Sequence, residues 1–179
     1  MHLRRVEDVN QIKRLFLRAS EESHRNAKNY KRLDRIEKFT DFYVLMDDYG
    51  LAEAFAGSYQ FSDTLVRVLD STYYFPNRRI RGGNYFGTAS EYFLPVMTER
   101  ALSRGMTPFF SIQSDRPHRR SMKRIVENFN KKNESQYRVL DGYYWTCPSE
   151  PKKDNKRCWQ TVAICGPDPT LLHYLEHQR

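Results

Sequence analysis

The chain is short of cysteine, glycine, proline and acidic charge, and it contains no long apolar run. Three cysteines, Cys147, Cys158 and Cys165, occur in 179 residues without a CxxC pair. An odd number at this spacing excludes a disulfide scaffold and a cysteine-only zinc site, and it implies free thiols and a cytoplasmic location. Eight glycines and eight prolines exclude a collagenous or low-complexity chain. No run approaches the roughly 18 apolar residues of a membrane span, so no membrane partner is expected. The first 16 residues hold Arg4, Arg5, Lys13 and Arg14 and no continuous apolar core, which argues against a signal peptide. Nucleophile-elbow, Walker and His-Glu-x-x-His motifs are absent. His173 and His177 stand four apart without an evident third ligand, so no metal is expected.

What is present is basic charge and aromatic mass. The aromatic fraction is 14%, enough to exclude a disordered chain, and 179 residues suit one domain spanning 1–179. The net charge of +8 is unevenly placed. Residues 1–40 carry 11 basic against 6 acidic side chains, and residues 41–75 reverse this with 1 against 6. Residues 76–84 hold 3 basic and no acidic groups, and residues 116–138 hold 8 against 2. An acidic block flanked by basic ones suits attraction of a polyanion or a phosphate-bearing cofactor. Residues 76–84 are the most specific of these, because three arginines and two glycines share nine positions. Arginine supplies forked donors for phosphate, and glycine lets the backbone approach closely.

Hydrophobic spacing gives an order of elements. A strand-like start precedes a helix capped by Asp8, with Val9, Ile12, Leu15, Phe16 and Ala19 at helical intervals. A basic helix is expected over 23–39. Three strand-like runs follow at 42–46, 51–61 and 65–75, separated by turns at 47–50 and 62–63, which describes an antiparallel meander. After the arginine-glycine loop come a helix ending at Arg104-Gly105, a strand at 107–113 and a helix over 118–128. Two strands at 137–146 and 159–165 flank the polar loop 148–157, and the tail 171–177 is at most a short helix.

This order resembles that of the GNAT acyltransferase superfamily, most closely at the end of the third meander strand. Members carry Val-x-Pro-x-Tyr-Arg-Gly-x-Gly-x-Gly/Ala there, ahead of the acyl-CoA-binding helix. Here the stretch is Tyr73-Tyr74-Phe75-Pro76-Asn77-Arg78-Arg79-Ile80-Arg81-Gly82-Gly83-Asn84, in which Pro76, Arg79 and Gly82 fall on the proline, arginine and middle glycine. A second register, Asn84-Tyr85-Phe86-Gly87-Thr88-Ala89, matches at Gly87 and Ala89. The second register starts the helix near Thr88 with a Thr88/Glu91 capping box, but leaves Pro95 to kink it; the first lengthens the loop and lets the helix begin at Pro95. A start near Thr88 is preferred. The resemblance implies a single mixed α/β domain whose mostly antiparallel central sheet is flanked by helices.

The resemblance also implies an N-acyltransferase that moves an acetyl or acyl group from acyl-CoA to a small-molecule or protein amine. Its cofactor-binding residues would be Tyr74, Phe75, Arg79, Arg81, Gly82, Gly83, Asn84, Gly87, Thr88 and Ala89. A helix N-terminus behind such a loop is physically suited to a pyrophosphate. Asp70 stands where many members carry an acid and is the candidate base. The family's tyrosine acid is missing, because Met122 stands at its place; His118 and Tyr144 are the candidate substitutes. The acidic residues Asp47, Asp48, Glu53, Asp63 and Asp70 would suit a cationic amine. The texture is also similar to that of small phage and bacterial GNAT-like proteins. Two alternatives use the same fold: a nucleic-acid-binding protein gripping phosphates through the helices at 23–39 and 118–128, and a nucleobase-modifying enzyme similar to phage Mom.

Overall fold

The computed structural model describes residues 1–22, 36–75, 89–113, 116–146 and 157–166. They group into two units, Met1–Gln60 with Arg67–Glu99, and Phe61–Val66 with Arg100–Arg179.

In the first unit, β1 (His2–Arg5) precedes α1 (Val9–Glu22), followed by β2 (Phe39–Met46), β3 (Ala52–Gln60) and β4 (Leu65–Tyr74), whose first two residues belong to the second unit. The capping expectation holds: Asp8 Oδ1 accepts from Asn10 N–H at 2.8 Å, and the Asp8 carbonyl accepts from Ile12 N–H at 3.0 Å. Ile12, Phe16 and Ala19 form the buried stripe of α1. The expected basic helix lies over 23–35 outside the described residues, but its last residues are corrected. Ile36–Lys38 form a 3₁₀ turn and Phe39 opens β2. The ring of Phe39 stacks on Phe16 at 6.1 Å, and its backbone pairs with Tyr59, so strand pairing and ring packing override the helical pattern.

The strands β2 and β3 pair antiparallel as expected of a meander, with β4 next to β3 in the sheet, and β1 pairs antiparallel with the other edge of β2. Between β2 and β3 Asp47 builds the turn, its Oδ1 accepting from Tyr49 N–H at 2.9 Å and Leu51 N–H at 2.7 Å, with Gly50 at φ 78°. Val44 faces Phe55 across the pair, while Gly57 sits opposite Phe42. A Cβ on Gly57 would come within 2.7 Å of the Phe39 ring, so only glycine admits that ring. The pairing slips at Ala52–Ala54, leaving Glu53 as an extra residue in β3.

The second unit contains β5 (Thr107–Gln113), α3 (Arg116–Asn133), β6 (Tyr137–Thr146) and β7 (Arg157–Cys165). The helix α2 (Leu94–Leu102) has Leu94–Glu99 in the first unit and Arg100–Leu102 in the second. The start of β4, then β5, β7 and β6, follow one another across the sheet, with β5/β7 and β6/β7 antiparallel. Leu65, Phe109, Val162 and Ile164 form a buried cluster, flanked by Phe61 and Leu140. The helix α3 is longer than its expected core at 118–128 because Phe129 also packs inward, its ring 5.7 Å from Tyr137. It ends at Glu134, which takes the left-handed φ of 52° that sequence patterns assign to glycine. Asn130 ties the exit down: Nδ2 donates to the Tyr137 carbonyl at 2.8 Å, and Oδ1 accepts from Tyr137 N–H at 3.0 Å and Ser135 Oγ at 2.7 Å. The architecture is therefore mixed α/β with mostly antiparallel strands, as the sequence leads one to expect. No described helix is long and apolar enough to cross a membrane.

Candidate active site

The C-terminal half of β4 departs from regular strand geometry. Leu69 has φ 56°, a left-handed conformation that costs a β-strand residue other than glycine roughly 1–2 kcal/mol. Thr72 Oγ1 holds the distortion by donating to the Leu69 carbonyl at 2.8 Å. Such a break re-aims the side chains beside it, and backbone strain of this kind concentrates at functional sites. The adjacent residue is Asp70, the candidate base. Its side chain is 8% exposed, and Arg67 Nη1 approaches Oδ1 at 3.5 Å. The two side chains, three residues apart on the distorted strand, form a mostly buried ion pair.

The other acidic residues of the meander divide into two groups. Asp47 is half-buried and Asp48 exposed at the turn, where Asp48 Oδ1 meets the Met1 amine at 2.9 Å, and Asp63 is also exposed. Glu53 is 1% exposed, with its carbonyl accepting from Phe75 N–H at 3.0 Å. Asp41 is also buried, 3.2 Å from Arg5 Nε. The acidic block therefore supplies turn caps and buried carboxylates rather than one continuous negative surface.

At the end of β4 the cofactor-binding candidates Tyr74 and Phe75 are half-buried and buried, respectively. The Phe75 ring belongs to the core: it lies 5.3 Å from Tyr73 and 6.0 Å from Phe55, both edge-on. The guanidinium of Arg18 lies 4.2 Å over its face. Phe75 thus offers no side chain to a ligand, and its N–H is committed to Glu53. Adjacent residues of an extended chain direct their backbone groups to opposite sides. The N–H and C=O of Tyr74 therefore point away from β3.

Arg79, Arg81, Gly82, Gly83, Asn84, Gly87 and Thr88 lie outside the described residues, as do His173 and His177. Beyond them the chain re-enters at Ala89, the first residue of a π-helical turn, Ala89–Phe93, which runs into α2. Pro95 explains this turn. It lacks the N–H that would bond the Glu91 carbonyl, and its ring would collide with that carbonyl in a regular α-helix. Widening the preceding turn relieves both problems. A helical start close to Thr88 and a Pro95 near the first α-turn thus coexist. Phe93, Leu94 and Met97 bury the inner face of this helix. Its end follows the glycine expectation, with Gly105 at φ 68°, Met106 N–H bonded to the Ala101 carbonyl at 3.0 Å and Gly105 N–H to Leu102 at 2.9 Å.

The two acid candidates belong to the second unit. His118 lies in the first turns of α3, and Tyr144 lies in β6 opposite Trp159, just past a bulge between Leu140 and Tyr143. Met122 is 1% exposed and packs as core, so the position of the family's tyrosine carries no acid. Residues that sequence reasoning passed over are Arg18, Leu69 and Thr72, together with the burial of Glu53. A lone carboxylate in the otherwise small and apolar run Ala52–Ser58 was the available signal for Glu53. Nothing in the sequence distinguishes Leu69 or Arg18. Among the described residues no three His, Cys, Asp or Glu side chains gather as metal ligands.

Neither a family model nor a curated protein matches this chain in sequence. Solved structures do match its fold. A GNAT superfamily phosphinothricin acetyltransferase from Sinorhizobium meliloti, in complex with AcCoA, is 14% identical, with a TM-score of 0.56 over 93% of this chain and 89% of that one. The ribosomal-protein-S18-alanine N-acetyltransferase from Escherichia coli is 11% identical, with a TM-score of 0.55 over 90% of this chain and 92% of its own. A protein from Bacteroides thetaiotaomicron assigned to the GNAT acetyltransferases is 15% identical, with a TM-score of 0.57 over 99% and 94%. The chain has the fold of the GNAT acetyltransferases.

Proposed function

We propose that the protein is an acyl-CoA-dependent N-acyltransferase acting in the cytoplasm, with the whole of residues 1–179 forming one catalytic domain. The observation that carries this reading is the fold match over at least 90% of the chain to acetyltransferases, one of them solved with AcCoA. The break at Leu69 beside a buried Asp70, at the strand end that leads into the arginine-glycine loop, supports it independently.

The residues present fit acyl-CoA by the chemistry of their donors. Arg79 and Arg81 supply forked cationic donors for a pyrophosphate, while Gly82, Gly83 and Gly87 let backbone N–H groups approach it. Asn84, Thr88 and Ala89 are the residues in sequence at and before the helix start, and Tyr74 sits at the strand end beside which an extended amide arm would lie. Bound acyl-CoA supplies a thioester carbonyl as electrophile. Asp70 takes the proton from the substrate ammonium, so that a neutral amine attacks. His118 or Tyr144 returns a proton to the departing thiolate. The acceptor is a cationic amine on a small molecule or a protein, drawn by the buried carboxylates of the meander.

Calorimetric titration with acetyl-CoA tests the core of this reading, with saturable binding expected. Arg79→Ala and Gly82→Asp should each weaken it, the first by loss of donors and the second by charge and bulk at the phosphate. Asp70→Asn should slow acyl transfer to an amine panel by roughly 10²–10⁴-fold with unchanged acetyl-CoA affinity. No binding to the wild-type chain would end the proposal, and full activity in Asp70→Asn would remove Asp70 as base.

A further inference from the structure

Phe75 is the last described residue before the arginine-glycine loop, and it is held in three independent ways. Its N–H is bonded to the Glu53 carbonyl at 3.0 Å. Its ring meets Phe55 and Tyr73 edge-on. Its outer face is covered by the Arg18 guanidinium at 4.2 Å. Arg18 is itself fixed, because Nε donates to Glu22 Oε1 at 2.6 Å across one turn of α1. A cation over an aromatic face is attracted by the ring quadrupole, and a guanidinium with one edge bound to a carboxylate can still lie flat on a ring. The Arg18 side chain is only one-third exposed, so this attraction is partly shielded from water. Ordinary core packing of Phe75 would not require a charged residue here; leucine would cover the same face.

We propose that Arg18 is a positioning residue for acyl-CoA, acting through Phe75: by clamping that ring to α1 it holds the end of β4, Tyr74 and Phe75, in place. The inference rests on the acyl-CoA reading above. It makes the C-terminal half of α1 part of the cofactor grip, without any contact between Arg18 and the cofactor. Removing the cation loosens the strand end, so that more of the binding free energy goes into ordering it.

The test is acetyl-CoA affinity by calorimetry, with melting temperature recorded for each variant. Arg18→Leu keeps the apolar cover and removes the cation; it should raise Kd about fivefold. Arg18→Lys restores a cation over the ring and should return Kd to within about twofold of wild type. In a Phe75→Leu background the Arg18→Leu change should have no further effect on Kd, since the partner ring is gone. Should Phe75→Leu fail to fold, the leucine and lysine variants of Arg18 decide the matter alone. Wild-type Kd in Arg18→Leu, or a lysine variant as weak as the leucine one, overturns the inference and leaves the transferase reading standing. Absence of acetyl-CoA binding by the wild-type chain overturns both.

Discussion

Among the described residues, the first unit joins six rings in one chain of contacts, and the second combines an aliphatic cluster with smaller groups of rings. In the first, Phe16, Phe39, Phe42, Phe55, Tyr73 and Phe75 form a chain of contacts with centroids 4.9–6.1 Å apart, joining α1, β2, β3 and the end of β4. In the second, Phe61 meets Phe109 within the cluster of Leu65, Val162 and Ile164, and elsewhere Tyr137 meets Phe110 and Phe129. Rings are large and have only two torsions to fix, so a connected set fills irregular space at small entropic cost. That suits a region that must carry a distorted strand. The break at Leu69 interrupts β4 between Val68 and Tyr73, and ring packing, not regular pairing alone, then holds the strand end in place. The β5/β7 ladder runs in continuous register from Phe109 to Gln113, so the second core can depend on ordinary aliphatic burial.

The largest effect should come from the hub of the ring chain. Phe55 is 1% exposed and touches Phe16, Phe42, Tyr73 and Phe75. Phe55→Ala should cost about 3–5 kcal/mol in urea unfolding, through lost burial and the cavity left behind. A leucine replacement isolates the rings. Phe55→Leu keeps much of the burial but loses the contacts with Phe16, Phe42, Tyr73 and Phe75, each worth roughly 0.5–1.5 kcal/mol. A leucine variant as stable as wild type would mean that ring geometry adds nothing to the first core.

A smaller effect should follow from Gly57, the one strand glycine that the Phe39 ring covers. Its Cβ would sit 2.7 Å from Phe39 Cε1 and 2.8 Å from Cδ1, against a ring that also packs on Phe16 and Phe42. Gly57→Ala should therefore destabilise by about 1–3 kcal/mol, the usual penalty of overpacking. Pairing it with Phe39→Leu should recover most of that loss. Without recovery, the glycine would be required by the backbone rather than by the ring.

Much of this arrangement was legible in the sequence, and the failures share a cause. Strand-like runs of apolar, aromatic and β-branched residues, with turn residues between them, located the meander, since Asp47 and Gly50 are chemically suited to a tight turn. Asp8 and Gly105 marked helix ends because capping and left-handed φ act locally. Phe39 was misread because helical spacing continues through it, and only pairing with Tyr59, set by distant residues, decides otherwise. The candidate site was half legible. Asp70 could be picked out by its place in a strand, whereas the conformation of Leu69 and the cover of Phe75 by Arg18 are products of tertiary packing. Glutamate in left-handed conformation at 134 shows the same limit at the end of α3.

The smallest expected effect is the most informative about the site. Leu69 and Val68 are neighbours on one strand, yet glycine should act oppositely at the two. Val68 is 1% exposed with ordinary strand geometry, so Val68→Gly loses a buried side chain and adds backbone freedom, costing about 2–4 kcal/mol. Leu69 is half-buried at φ 56°, so Leu69→Gly trades a modest loss of burial and greater unfolded-state entropy against release of left-handed strain. The terms nearly cancel, and its stability should lie within about 1 kcal/mol of wild type. A near-neutral Leu69→Gly that nevertheless lowers acyl transfer would mean that the leucine is retained to hold Asp70 in place, since strain with no role in catalysis could be relieved without loss of rate. A large destabilisation would instead mean that the break in β4 is supported by the Leu69 side chain itself, and that the ring chain of the first unit does less to hold the strand end than its geometry implies.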